Sequence, residues 1–130
     1  MPTVEESLFS RLSGYAGLTA LIGASSSCRA WPKLLRESCT LPALVWDEVS
    51  GEYHSTFAAS PTLKRARYQL SAWAETSAGA AAVRAQVVAA LRDYVGGAIL
   101  ATRILSSVAL REPETGWYQA SVDVELWYDE

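Results

Sequence analysis

The sequence contains little of the chemistry that most enzymes need. Its 130 residues include one histidine, His54, and two cysteines, Cys28 and Cys39. No histidine stands at ligand spacing from either cysteine, so no zinc motif is recognisable. Glycine-rich nucleotide motifs and the strained serine turn of the hydrolases are also missing. The sequence therefore predicts no catalytic residue, no metal and no cofactor, and we expect a protein that is not an enzyme.

Long apolar runs and a targeting signal are missing as well. Every uninterrupted apolar run is far shorter than the ~20 residues that span a bilayer. The first six residues carry two acids and lack the basic start and apolar run of a signal peptide. We therefore predict a soluble cytoplasmic protein that binds no membrane. In that reducing setting both cysteines are predicted to be buried free thiols, although their spacing leaves a disulfide open.

Basic residues are absent from the C-terminal segment. Residues 112–130 hold six acids and no base, whereas residues 53–111 hold seven bases and two acids, within a net charge of -3. This asymmetry suits head-to-tail packing of identical subunits, in which unlike patches meet. A solvated mixed surface is the alternative reading. The bases form no dense stripe, so specific binding to nucleic acid is not expected.

The most informative segment that is present is a hairpin at residues 99–128. From Tyr118 to Tyr128, apolar residues at even positions alternate with polar residues at most odd positions. This period of two predicts a strand with one buried and one solvated face. In the preceding turn, Pro113 fixes the first corner and Gly116 accepts a positive φ. The turn therefore sets the register of an antiparallel pair.

The rest of the chain predicts a small set of helices and strands. Thr3 and Glu6 form a capping box before a helix that continues to about Gly14. The other predicted elements are a short helix at 18–22, a possible short strand at 28–31, strands at 41–50 and 63–74, and the main helix at 77–94. The fold class is α+β, one domain over residues 1–130. We expect a two-layer sandwich: a mostly antiparallel four-stranded sheet, with a possible short extra strand, under two main helices on one face.

A long connection and several charged residues are the candidate interaction sites. Residues 51–61 are too many for an ordinary hairpin loop, and they include aromatic side chains able to dock on a partner. We predict that partner or oligomer contacts use Tyr53, His54, Phe57, Arg65, Arg67, Glu112, Glu114, Asp123 and Glu125. The carboxylate pairs in that set could serve acid–base chemistry or hold a hard cation, but solvated carboxylates are the commoner case.

Four places in the chain resemble the tail completion, or tail terminator, family of long-tailed bacteriophages. They are residues 4–8 with 17–23, residues 41–46 with 50–51, residues 68–74 before the alanine-rich helix, and residues 112–118 with 126–128. They follow the family's order along nearly the whole chain. Residues 24–40 show no close match, although residues 29–32 resemble the family's short strand ended by proline, and the 51–61 segment varies among such proteins.

The resemblance implies a structural role in the virion. Members of the family form a six-membered ring at the head-proximal end of the tail tube, where the ring stops tube growth and docks the neck proteins of the head. The expected partners are other copies of the chain, the tail tube protein and a neck or connector protein. The expected location is the virion tail, after assembly in the host cytoplasm. Another neck component of the virion, or a small-molecule or peptide-binding domain with a tryptophan-lined cleft, remains the alternative.

Overall fold

A computed structural model describes residues 3–23, 28–33, 40–53 and 63–129. Cys39, His54 and Phe57, all named above, lie outside the described residues. The helices are α1 (Val4–Gly14), α2 (Ala16–Ile22) and α3 (Ser77–Leu91). The strands are β1 (Ala30–Pro32), β2 (Ala43–Tyr53), β3 (Leu63–Ala74), β4 (Ile99–Arg111) and β5 (Tyr118–Asp129).

α1 and α3 each begin immediately after a threonine whose side chain caps the helix. The Glu6 backbone N–H donates to the Thr3 hydroxyl at 3.1 Å, and the Glu6 side chain accepts from the Thr3 backbone N–H, so the capping box is confirmed. Thr76 caps α3 in a similar way by accepting from Gly79 N–H at 3.0 Å. The predicted end of α3 was wrong by three residues. The helix ends at Leu91 because Arg92 is extended and Asp93 has a φ of 54°, which is incompatible with a right-handed α-helix.

The strands form one five-stranded sheet in the order β1-β2-β3-β5-β4. The possible short strand is present as β1, which pairs parallel with β2, and the other three pairings are antiparallel. β3 has the predicted bounds. β2 is longer than predicted: residues 51–53, assigned to a loop from the sequence, pair with Ala66, Arg65 and Lys64 of β3. Cross-strand bonding to β3 thus overrides the turn signal of Gly51.

All three helices contribute side chains to one core on one face of the sheet. Leu8, Leu18 and Val87 share this cluster with Tyr68 and Leu126 of the sheet. The burial pattern confirms the predicted inner face of β5, whose buried members are Ala120, Val122, Val124, Leu126 and Tyr128. The opposite face, here called the outer face, carries the odd-numbered residues of β3 and β5.

The outer face is less solvated than the alternation predicts. Ser121 is buried, and Gln119, Asp123 and Glu125 are half-buried. Their neighbours on β3 explain this, because long arginine and tryptophan side chains lie beside them and cover them. On the helix side, Cys28 is a buried free thiol, as predicted, and burial raises its pKa.

Candidate interaction surfaces

The outer face brings together four of the predicted interface residues. β3 supplies Arg65 and Arg67, and the neighbouring β5 supplies Asp123 and Glu125. Arg67 and Glu125 are cross-strand partners, which places these side chains on one face. Arg67 donates from Nε to Asp123 Oδ2 at 3.0 Å. Arg65 forms an ion pair with Glu52 of β2, and its Nε lies 3.8 Å from Glu125 Oε2.

These ion pairs are made within one chain. Trp127 adds to them, since its Nε1 donates to Glu125 Oε1 at 2.9 Å and its ring lies 5.4 Å from the Arg65 guanidinium carbon. The side chains of Asp123 and Glu125 are only 14% and 15% exposed. The arrangement orders the outer face and largely cancels its charge. A contact between these residues and a partner stays a prediction.

The turn between β4 and β5 is organised by Glu112. Its carboxylate accepts from the backbone N–H of Glu114 at 2.8 Å, and from Thr115 through the backbone N–H at 3.1 Å and the hydroxyl at 2.7 Å. Gly116 has the expected positive φ, 74°. The hydrogen bond from the Thr115 hydroxyl, helped by those from the backbone, lowers the pKa of Glu112 below its ordinary value of 4.5. Glu112 therefore holds the turn, while the side chain of Glu114 is exposed.

Replacing Glu112 with glutamine should make the stability of the hairpin less dependent on pH. Because the folded-state pKa of Glu112 is lowered, its carboxylate stabilises the fold above the unfolded-state pKa near 4.5, and this contribution is lost as the pH falls through the folded-state pKa. Thermal unfolding of wild type and Glu112→Gln between pH 7 and about pH 3 should give Tm values that converge in acid. Glu114→Gln is the matched control. A gap that persists unchanged in acid would contradict the assignment.

Tyr53 is the one member of the predicted aromatic loop set that the structure describes. It ends β2 with 62% of its surface exposed, and the Lys64 ammonium lies 5.1 Å from its ring centroid. Lys64 also pairs with Glu48 at 3.0 Å, and the hydrogen bond to Glu48 is the largest cause of its raised pKa. Tyr53 is therefore the last residue of β2, and its ring contacts Lys64 of the neighbouring strand. The predicted roles of His54 and Phe57 stay untested.

The edge strand β4 is a surface that sequence reasoning missed. It is thirteen residues long and pairs with β5 alone among the described strands. Its large exposed apolar side chains are Leu100, Leu105, Val108 and Leu110. A long edge strand with exposed apolar side chains is a template for pairing with another chain. The signal in the sequence is that apolar residues occupy both odd and even positions of β4, so neither face is consistently polar.

A groove runs between β4 and α3 on the helix side of this edge. One part of it is lined by Arg84, Leu110 and Arg111, and a second part by Arg84, Arg92 and Leu105. Arg84 reaches from the helix toward the strand, with 3.5 Å between its Nη1 and the Val108 carbonyl oxygen. The groove is therefore lined both by apolar side chains, among them Val88 and Val122, and by the three arginines.

The tryptophans do not share one cleft. Trp46 lies in the core against Phe9, with ring centroids 5.9 Å apart, whereas Trp73 and Trp127 lie on the outer face. Within the described ranges no three His, Cys, Asp or Glu side chains are placed to hold a metal ion. In the same ranges no helix has the length and apolar character needed to cross a membrane.

Two comparisons with known proteins, one with protein families and one with solved structures, found a match. The family model described as tail completion protein gp17 matches residues 6–129. A comparison with curated proteins found no match. A chain from a solved structure described as the virion of a native gene transfer agent particle has a similar fold, with a TM-score of 0.68 and 16% sequence identity over 95% of this chain and 92% of that chain. From its match over nearly the whole length, the chain belongs to the tail completion protein gp17 family.

Proposed function

We propose that the protein caps the head-proximal end of a phage tail tube as a ring of identical subunits. In this role it stops tube growth and offers the neck proteins of the head a surface on which to dock. Its location is the virion, at the junction of head and tail. The six-fold ring expected from the sequence resemblance is the proposed oligomer.

Membership in the tail completion family is the observation that carries this proposal. The exposed β4 edge adds physical support, because a strand edge with four exposed large apolar side chains is suited to contact with protein. In a ring of more than two identical subunits, each copy contacts one neighbour through one surface and the other neighbour through a different surface. Such head-to-tail contacts form a closed ring when the rotation between neighbours closes. The two edges of the sheet provide two such surfaces.

Electron microscopy of tail tubes tests the proposal. Purified tubes would be incubated with the protein carrying a visible tag, under conditions in which the tube subunits continue to polymerise. We expect label at one end only, and we expect the labelled ends to stop growing. The control is the same tubes with tag alone.

Two results would overturn the proposal. Tubes that stay bare and continue to grow, with the protein folded, would move the assignment to another component of the neck. Label along the tube wall would indicate a role in tube decoration instead of termination.

A further inference from the structure

Two strand segments are exposed on both faces of the sheet. They are residues 105–111 of β4, here called the β4 arm, and residues 47–53 of β2, here called the β2 arm. A strand at the surface of a globular domain ordinarily buries one face against the core. In these two segments every residue is exposed, including Val108, Leu110, Val49 and Tyr53.

Both arms lie at an edge of the sheet that the described strands form. The β4 arm pairs with β5 on one side only, and the β2 arm pairs with β3 on one side only. β1 does not cover the β2 arm, because its pairing with β2 stops at Trp46. Backbone groups at such edges are available to another strand.

The arms lie at diagonal corners of the sheet. Tyr53 is aligned across the sheet with Lys64, Tyr128 and finally Ile99, the first residue of β4. The β2 arm is therefore level with the first half of β4, whereas the β4 arm is the second half of that strand. Val108, in the middle of the β4 arm, is level with Val45. The centre of the β2 arm, Ser50, is four register steps farther along, which is about 13 Å at ~3.3 Å per residue.

The two arms have opposite charge and similar apolar character. The β2 arm carries Asp47, Glu48 and Glu52 and no base, and two of these acids, Glu48 and Glu52, also pair with Lys64 and Arg65 of β3 in the same chain. The β4 arm carries Arg111 and no acid, and Arg84 and Arg92 line the groove beside it. Each arm also exposes at least two large apolar side chains. Complementary charge around apolar contacts is what a specific interface between two copies requires.

We propose that the β4 arm of one copy pairs antiparallel with the β2 arm of the next copy, so that the sheet continues from subunit to subunit around the ring. This inference rests on the proposed function, because it names the contact that builds the ring. β2 and β4 run in opposite directions, being separated by three antiparallel pairings. If the ring axis lies near the strand direction, the β2 strands of all copies run in about the same direction. The β4 strand of one copy is then antiparallel to the β2 strand of the next copy.

The diagonal position of the arms is compatible with closure. The repeating unit along the extended sheet is four strands wide, about 19 Å at ~4.8 Å per strand. A 13 Å offset over that width tilts the strands by about 35° from the ring axis, within the ~35–45° range at which closed sheets form. The same offset places the β4 arm beside the β2 arm and clear of β1.

Lysine substitutions on β4 test the contact with an internal control. Leu110→Lys places a charge in the β4 arm, whereas Leu100→Lys places it in the other half of the same strand, at a side chain of similar exposure, 48% against 57%. The measurements are sedimentation velocity of the free protein and electron microscopy of tube ends. Leu110→Lys should weaken ring formation by about tenfold or more, and Leu100→Lys should leave it unchanged. Both variants should keep the Tm of wild type, because both positions are exposed.

Mixed crosslinking tests whether the two arms meet each other. One preparation carries Val108→Cys, a second carries Ser50→Cys, and a short bismaleimide is added. Each preparation alone should give only the background of wild-type protein, which controls for Cys28 and Cys39. The mixture should give covalent dimers, and the double variant should give a ladder up to the ring. Ala101→Cys in place of Val108→Cys is the matched control on the same strand and should not crosslink with Ser50→Cys.

The outcomes separate this inference from the proposed function. Rings that form equally with Leu110→Lys and Leu100→Lys, or a mixture that gives no dimers while wild type assembles, would overturn the arm pairing and leave the tail-capping role intact. Wild-type protein that forms no ring, either free or on tubes, would overturn both. Crosslinks from the arms to the tube subunit, and none between copies, would assign the arms to the tube instead.

Discussion

Replacing Leu126 with alanine should lower the free energy of unfolding by about 2–5 kcal/mol. Leu126 is fully buried in the core cluster, and its cross-strand neighbours are Ala66 on β3 and Thr102 on β4. Removing its branched end leaves a cavity, and the strands paired on both sides of Leu126 restrict how far the protein can collapse into it. The cost therefore includes both the lost transfer free energy and a cavity term. Urea unfolding, followed by tryptophan fluorescence, measures the change.

Leu100→Ala is the control for this prediction. Leu100 is a leucine of the adjacent strand β4 with 48% of its surface exposed. Its truncation should change the free energy of unfolding by less than about 0.5 kcal/mol, as surface substitutions usually do. Leu91→Ala, at a fully buried position of α3, should resemble Leu126→Ala. A cost below about 0.5 kcal/mol at Leu126 would contradict the assignment of the inner face of β5.

The parts of the fold that the sequence predicted depend on local physics. The capping box at Thr3 and the alternation along β3 and β5 are properties of a few neighbouring residues, and the structure has them where the pattern predicted. The end of α3 was predicted less well. The apolar pattern extends to Tyr94, which does pack against the core, but it does so after the chain has left the helix at Leu91. The spacing of apolar residues in a sequence indicates which side chains are buried, but it does not by itself show where the helical backbone ends.

The candidate sites depended on pairing, which the sequence does not contain. Arg67 and Asp123 are 56 positions apart, and only the register of β3 against β5 brings them together. For this reason the sequence predicted separate basic and acidic patches, whereas in the structure Arg65 and Arg67 pair with acids of the same chain. Which charged residues lie on the arms of β2 and β4 follows from which strands lie near the edges of the sheet. That order is a property of the whole topology.

Replacing Gly97 with alanine should lower the free energy of unfolding by about 2–4 kcal/mol. Gly97 has a φ of +53°, which costs a residue with a side chain about 1–2 kcal/mol. A Cβ there would lie 2.5 Å from the Ser7 hydroxyl oxygen and 3.0 Å from the Ser7 Cβ. Ser7 is buried, and its hydroxyl accepts from the half-buried Ala98 N–H at 2.9 Å, so moving Ser7 would also break this hydrogen bond, at about 0.5–1.5 kcal/mol.

Gly14→Ala is the matched control, with the opposite expected sign. Gly14 is the last residue of α1, and a Cβ there would meet nothing within 4 Å. Alanine has the better helix propensity, so the substitution should stabilise the protein by up to about 1 kcal/mol. Urea unfolding of both variants against wild type should therefore give changes of opposite sign. The large cost expected at Gly97 depends on the packing of Ser7 in α1 against the segment that precedes β4. Equal small effects of the two substitutions would therefore mean that this contact does not hold α1 against the start of β4.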